Sequence, residues 1–263
     1  MADPRPIGVF DSGVGGLTVL REILRRSPAE STIYLGDNAR APYGIRPDGE
    51  VRAFSVESID LLVERDVKAI VVACNTSTAV AIGDLRRRYD LPVLGVIRPG
   101  AVTASLTTRN RRVGVIAVAA ALAPLLGERD TAGEFIFPLP PSARIDTLLL
   151  GCTHYPLLRG AIAAVAGEGI AIVDSASATA SALAELLTIN GLEAPADGAG
   201  NEGASRNGSA SSGRDAGAAV HLQLTTGDVT AFRAIAGRMF GDAFADVSGV
   251  EVRPAVMTSR LGR

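Results

Sequence analysis

Short apolar runs alternate with longer amphipathic ones along the chain. "PIGVF" is followed by the loop "DSGVGG" and then by "LTVLREILRR", where apolar residues recur at helical spacing. The same order returns in "STIYLGD", "GEVRAFSVESIDLLVERD", "AIVVAC", "STAVAIGDLRRRY" and "PVLGVI". Strands that are apolar throughout, separated by amphipathic helices, predict a parallel sheet with helices on both faces. "RPGAVTASLTTRN" predicts a helix that ends in a loop. "RRVGVIAV" opens a second series, continued by "IDTLLLGC", "PLLRGAIAAVAG", "GIAIVDSA" and "TASALAELLTING". Gly191 closes the last of these as a helix C-cap. "VHLQLTT" then predicts a strand and "VTAFRAIAGRMFG" a helix.

The chain also echoes itself. "IGVFDSG" parallels "VGVIAVA", and "AIVVACNTSTA" parallels "TLLLGCTHYPLL". Two related α/β halves are therefore expected, each presenting one cysteine to a shared cleft. Residues 1–97 and 176–263 are assigned to the first domain, and residues 98–175 to the second. Residues 194–219 hold almost no large apolar side chain and read as a flexible insertion in the first domain. Between "GEFIF" and "IDTLLLGC" the link "PLPPSAR" is too short for a parallel crossover, which takes roughly ten to twelve residues. The second domain is thus expected to be truncated. The apolar faces of "VGVIAV" and "TLLLG" should be less covered than those of an intact half.

The chain has 263 residues, of which 47% are hydrophobic, enough to bury a sizeable core. Net charge is −2 with both signs dispersed, and aromatic residues make up only 4%. No basic stripe or stacking surface suggests nucleic acid. No apolar run reaches membrane-spanning length, and "MADPRPIGVFDSG" lacks the layout of a signal peptide. A cytoplasmic location is expected. There the two cysteines should stay reduced, which favours catalysis or metal binding over a disulfide.

Cys74 and Cys152 each close an apolar strand just before a helix start. In parallel sheets, ligands gather at the carboxyl ends of strands. Helix N-termini there offer free N–H groups and partial positive charge, which suit a carboxylate. The same field is expected to lower a thiol pKa from about 8.5 toward neutrality. Asn75, Thr76, Thr153 and His154 follow the thiols directly and supply polar donors. Buried structural cysteines are the plain alternative, but two in matched contexts favour chemistry. Cys152 and His154, with Cys74 or Asp11, would give three metal ligands; no other His or Cys clusters with them, so no metal site is expected. His221, in an apolar strand, reads as structural.

Asp11 and Ser12 stand at a strand end, where they could orient a small amine or simply cap the next helix. "DSGVGG" lacks a Walker motif and the full Gly-x-Gly-x-x-Gly spacing, so its glycines read as a tight turn and a close backbone approach. In "APYGIRP", Pro42, Tyr43 and Gly44 form a turn that could hold N–H groups and a phenol over a cleft. Lys68, the one lysine, stands at the amino end of its strand. That is the wrong end for a pyridoxal Schiff base, so amino-acid chemistry here should need no pyridoxal.

Taken together, these stretches resemble one family. "FDSGVGGLTVL", "YLGDNARAPYG", "VVACNTSTA", "LLLGCTHYPLL" and "IVDSASATA" occur in the order found in glutamate racemase, of the aspartate/glutamate racemase superfamily. The resemblance covers nearly all of the N-terminal half, then about Ile145 to Gly191, and more loosely "LTTGDVTAFRAIAGRMFG". It implies two pseudo-symmetric parallel-sheet α/β domains with the active site in the cleft between them. It implies cofactor-independent interconversion of L- and D-glutamate, supplying D-glutamate for peptidoglycan, with no metal. By this resemblance Cys74 and Cys152 are the catalytic thiols. Asp11, Ser12, Tyr43, Gly44, Asn75, Thr76, Thr153 and His154 bind substrate, and Asp11 and His154 assist proton transfer. The partner is a small molecule, glutamate; a homodimer is the assembly to be tested.

The chain departs from the family in its second half. "VGVIAVAAALAPLLGERD" replaces a Thr-rich substrate loop, and the stretch from Val113 to Cys152 is a few tens of residues short. A glutamate near the second thiol is missing with it. Two other readings stay open at this level: a racemase of another acidic substrate, aspartate or hydantoin, and a non-catalytic binding protein derived from the racemase. Both thiols and their flanking pairs favour an enzyme; the altered loop favours the binding protein.

Overall fold

The computed structural model describes residues 2–117, 145–195, 219–241 and 246–254. Its strands, in chain order, are β1 (Ile7–Asp11), β2 (Thr32–Gly36), β3 (Ala69–Val72), β4 (Val93–Gly95), β5 (Val113–Ala117), β6 (Thr147–Gly151), β7 (Ala171–Asp174), β8 (His221–Thr225) and β9 (Val247–Gly249). The helices are α1 (Leu17–Arg26), α2 (Asp48–Val63), α3 (Asn75–Arg88), α4 (Ile97–Thr107), α5 (Arg159–Ala166), α6 (Ser175–Asn190) and α7 (Val229–Phe240). Short 3-10 turns occupy Tyr43–Ile45 and Tyr155–Leu158.

Six strands form one sheet in the order β4-β3-β1-β2-β8-β9, and three form a second, β5-β6-β7. Every pairing is parallel. Asp11 pairs with Gly36 and Phe10 with Val72, so the chain leaves β1, β2 and β3 at one level. That level is where the site forms.

All five residues of β1 are buried, because both faces of the larger sheet are covered. Ile7 and Val9 point into a core shared with Leu20 and Ile23 of α1, Leu183 and Leu187 of α6, and Phe232 of α7. Phe10 points the other way, toward Ile59 and Leu62 of α2 and Ala81 and Leu85 of α3. Each fully buried aliphatic or Phe side chain contributes on the order of 1.5–3 kcal/mol, against about 0–1 kcal/mol for an exposed ion pair. These two layers, rather than the many surface Arg–Asp pairs, hold the sheet together. α6 packs on both α1 and α4 and so joins the two sheets.

Local chemistry sets the helix ends. The Cys74 sulfur accepts from the Ser77 N–H at the start of α3, while Arg86, Arg87 and Arg88 face the negative end of the same helix. Asp174 caps α6 and Asp228 caps α7, each through its carboxylate. Gly191 ends α6 in the left-handed conformation, as its place in the sequence suggests. At the amino end of β3, the fully buried Lys68 ammonium lies 2.5 Å from Glu30 and donates to the Asp3 carbonyl at 2.7 Å.

Several expectations need adjustment. α3 begins at Asn75, so Asn75 and Thr76 belong to its first turn and not to a preceding loop. The "PVLGVI" strand stops at Gly95, and Ile97 already opens α4. β9 carries no apolar run in sequence; its extended state comes from pairing with β8. In the second sheet, Val115 and Ile116 of β5 are exposed, as expected of an uncovered face. Leu148 and Leu150 of β6 are buried instead, because β6 is the central strand and α4 packs against it. "GEFIF" and all but the margins of the 194–219 segment lie outside the described residues. Among the described residues no helix is long and apolar enough to cross a membrane.

Candidate active site

A cavity of about 500 Å³ opens at the carboxyl ends of β1 and β3, facing the end of β6. Asp11, Ser12, Tyr43, Gly44, Cys74, Asn75, Thr76, Cys152, Thr153 and His154 all line it. Every site residue read from the sequence therefore meets in one place, although the two thiols come from different sheets.

The loop after β1 makes this meeting possible. Gly13 donates its N–H to Asp11 Oδ2 at 2.9 Å, and the buried Tyr34 hydroxyl donates to the Gly13 carbonyl at 2.9 Å. The Thr18 hydroxyl shares its one proton between the Gly15 carbonyl at 2.9 Å and the Thr153 carbonyl at 2.8 Å, tying the two motifs together. A Cβ on Gly15 would stand 2.5 Å from His154 Cε1 and 2.6 Å from Thr153 Oγ1. The glycine there permits contact between the halves as well as a turn.

Cys74 is almost fully enclosed, at 4% exposure. Its thiol donates to Ser12 Oγ at 3.4 Å, and its sulfur accepts from the Ser77 N–H at 3.4 Å. Burial pushes this thiol up, the Asp11 charge adds to the rise, and the contacts with Ser12 and Ser77 oppose it. The lowering expected from the helix end is thus reversed at Cys74, because desolvation of a thiolate outweighs the field of one helix turn. Cys152 is more open, with its sulfur 3.7 Å from His154 Nδ1. Contact with the Cys152 sulfur raises the His154 pKa; burial opposes the rise and the Asp11 charge adds to it. Asp11 itself is raised by burial, against the opposing charge of His154. Asp11 is therefore electrostatically coupled to the thiol of one half and to the imidazole of the other.

The turn carrying Tyr43 and Gly44 is fixed from behind. Tyr43 donates its hydroxyl to the buried Asp37 carboxylate, which also accepts from Arg40 Nε at 2.6 Å and from Thr226 Oγ1 at 2.7 Å. The phenol is committed to that network, so it does not hang over the cleft as a free group. Sequence reasoning passed over Asn38, which also lines the cavity and accepts from Thr225 Oγ1 at 3.1 Å. It lies within "YLGDNARAPYG", but its approach depends on β8 lying beside β2, which no local pattern reveals. Lys68 is absent from the lining, and His221 Nδ1 lies 3.0 Å from Thr32 Oγ1 between β8 and β2. Among the described residues no group of three or more His, Cys, Asp or Glu stands together as a metal cluster.

A family model for Asp/Glu/Hydantoin racemase matches residues 7–132. A glutamate racemase of Beutenbergia cavernae is 42% identical over 283 aligned positions, covering 94% of either chain. The chain belongs to the glutamate racemase family. A glutamate racemase isoform of Bacillus anthracis has a similar structure, with a TM-score of 0.75 at 33% identity, covering 95% of this chain and 99% of that one. The glutamate racemase of Francisella tularensis, solved in complex with D-glutamate, gives a TM-score of 0.73 at 26% identity, covering 95% and 98%. Family membership accounts for the two parallel sheets and for the order of the motifs. The alignment with the Beutenbergia racemase is longer than this chain of 263 residues, so that relative carries segments absent here.

Proposed function

We propose that this protein interconverts L- and D-glutamate by moving protons through Cys74 and Cys152, with no organic cofactor. The observation that carries the proposal is the pair of thiols, one from each sheet, lining a single cavity. Racemisation takes the Cα proton onto one sulfur as a thiolate becomes a thiol. The other thiol gives its proton to Cα from the opposite face. One base on each face meets this need without turning the substrate over. Cys74, pushed up by burial, is held in the thiol state; His154 is the polarisable partner beside Cys152. Asn75, whose buried Nδ2 has no partner among the described residues, and the Thr76 hydroxyl are the donors offered to a carboxylate at the start of α3. Asp11 and Ser12 are suited to the amino group, and Thr153 and the turn at Tyr43 and Gly44 close the pocket.

Glutamate is preferred over aspartate or hydantoin because the relatives that match nearly the full chain are glutamate racemases. In the family this reaction supplies D-glutamate for peptidoglycan, which supports a cytoplasmic location. The two sheets support a division into residues 1–97 with 176–263 and residues 98–175, and a homodimer is the assembly to examine. The test is Cα–H exchange and circular dichroism with purified protein and either enantiomer in deuterated water, with no cofactor added. Turnover is expected from both sides. Cys74→Ser and Cys152→Ser are each expected to lower racemisation by about 10²–10⁴-fold, the usual weight of a positioned acid or base. Folded, reduced protein that exchanges neither enantiomer would favour a binding protein. Racemisation at the normal rate by either Ser variant would refute the two-thiol scheme.

A further inference from the structure

The first turn of α3 buries three hydroxyl-bearing residues: Thr76 lines the cavity, while Ser77 and Thr78 do not. Thr78 Oγ1 donates to the Val72 carbonyl at 3.1 Å. Ser77 is completely buried, and its Oγ meets no acceptor in good hydrogen-bond geometry among the described residues, although it lies near enough to the Cys74 sulfur to favour the ionised form. Buried hydroxyls are rarely left so, because the lost hydration is not repaid. The backbone N–H of the same residue already donates to Cys74 Sγ at 3.4 Å, which places Ser77 at the sulfur. A neutral thiol is a weak acceptor, whereas a thiolate is a strong one.

We infer that Ser77 is a positioning residue for proton transfer, its hydroxyl turning to donate to the Cys74 sulfur whenever that sulfur is a thiolate. The inference rests on the reading of Cys74 as a proton carrier. When Cys74 delivers its proton, the S–H bond breaks, the Cα–H bond forms, and the electron pair stays on sulfur. The groups that face that charge are the Asp11 carboxylate from β1, the Tyr34 phenol from β2 and the Tyr43 phenol from the turn. None is a cation, and among the described residues no lysine or arginine lines the cavity. His154, the basic group in the lining, is paired with Cys152. On the protein side, neutral donors therefore hold the thiolate: the Ser77 N–H, the Ser12 hydroxyl after it rotates from acceptor to donor, and the Ser77 hydroxyl. The Ser77 side chain already favours the ionised sulfur, against the rise that burial imposes.

The test is alkylation of the purified full chain by iodoacetamide across a range of pH, with mass spectrometry of peptides separating Cys74 from Cys152. Ser77→Ala removes one oxygen and suits a helix, so the variant should fold. Its Cys74 midpoint should rise by about one unit, the usual effect of losing a donor to an ionised group, while the Cys152 midpoint stays in place. Ser77→Thr, which keeps the hydroxyl, should keep the Cys74 midpoint. At neutral pH, kcat/KM for glutamate should fall about tenfold in Ser77→Ala, and equally in both directions, because the enantiomers have the same free energy. An unchanged Cys74 midpoint in Ser77→Ala would overturn the inference, as would an equal rise in Ser77→Thr. If the midpoint shifts while the unaltered protein fails to racemise glutamate, the glutamate reading falls and the Ser77 contact stands.

Discussion

Cys74 does two jobs that pull in opposite directions. Its sulfur caps α3, and in the proposed reaction it must also gain and lose a proton inside the cavity. Burial raises its pKa in the folded protein, while an unfolded chain ionises its thiols near 8.5. Below that value Cys74 is protonated in both states and stability is unaffected. Above it the unfolded state releases the proton first, so stability is lost as pH rises toward the folded value. Urea denaturation at pH 7 and at about pH 10 should therefore show a larger alkaline loss for the unaltered protein than for Cys74→Ser. Buried Tyr34 and Tyr43 act in the same direction but are common to both proteins, so the difference isolates the thiol. Identical pH dependence in the two proteins would mean that solvent reaches the sulfur more freely than its 4% exposure implies.

At the scale of elements, the site is a meeting of loops at strand ends. The loop after β1 touches the segment after β6 through Thr18 and Gly15. Gly15→Ala tests that contact. The new methyl would fall within 2.6 Å of His154 Nδ1, and the ring, which is partly free to swing, would yield before the backbone does. The buried Thr153 Oγ1, also 2.6 Å from the new methyl, must shift as well, so thermal stability should fall by a modest amount. Displacing His154 from Cys152 should nonetheless lower racemisation by roughly 10²-fold, the cost of misplacing a reacting group by about 1 Å. Wild-type activity in Gly15→Ala would show that His154 does not need this position. The Asp37 cluster serves the opposite rim, where Tyr43, Arg40 and Thr226 converge on one buried carboxylate and fix the turn that lines the cavity.

For the molecule as a whole, the two sheets are unequal. The larger has both faces packed, with every residue of β1, β2 and β3 buried. Among the described residues, β5 in the smaller sheet is only partly covered along its length and lies at an edge. Local opening follows buried contacts, so amides of Val113–Ala117 should exchange with deuterated water faster than those of Ala69–Val72. Equal protection would mean that β5 is covered in solution by a further segment of the chain, by a second copy or by another partner. The comparison also bears on the cavity, because the smaller sheet supplies Cys152, Thr153 and His154 to it. A looser half would let the pocket open between turnovers while the larger sheet keeps Asp11 and Cys74 in register.

Much of this was legible without coordinates. Continuous apolar runs and helical periodicity gave the strand and helix order, because side-chain direction repeats differently in the two states. The paired motifs at Cys74 and Cys152 marked the strand ends that line the cavity, where parallel sheets gather ligands. β9 escaped notice because three residues, "VSG", carry no period, and only β8 beside them makes them a strand. The direction of the Cys74 pKa was misjudged because sequence reveals the helix end but not the depth of burial, and desolvation is the larger effect. Likewise, the phenol of Tyr43 looked available until Asp37 appeared behind it. The order of elements and the candidate reactive groups were legible locally, from residue type and spacing. Their proximity, their charge states and their donors were decided by the tertiary structure, because electrostatics and desolvation depend on distances in space that the spacing along a chain does not set.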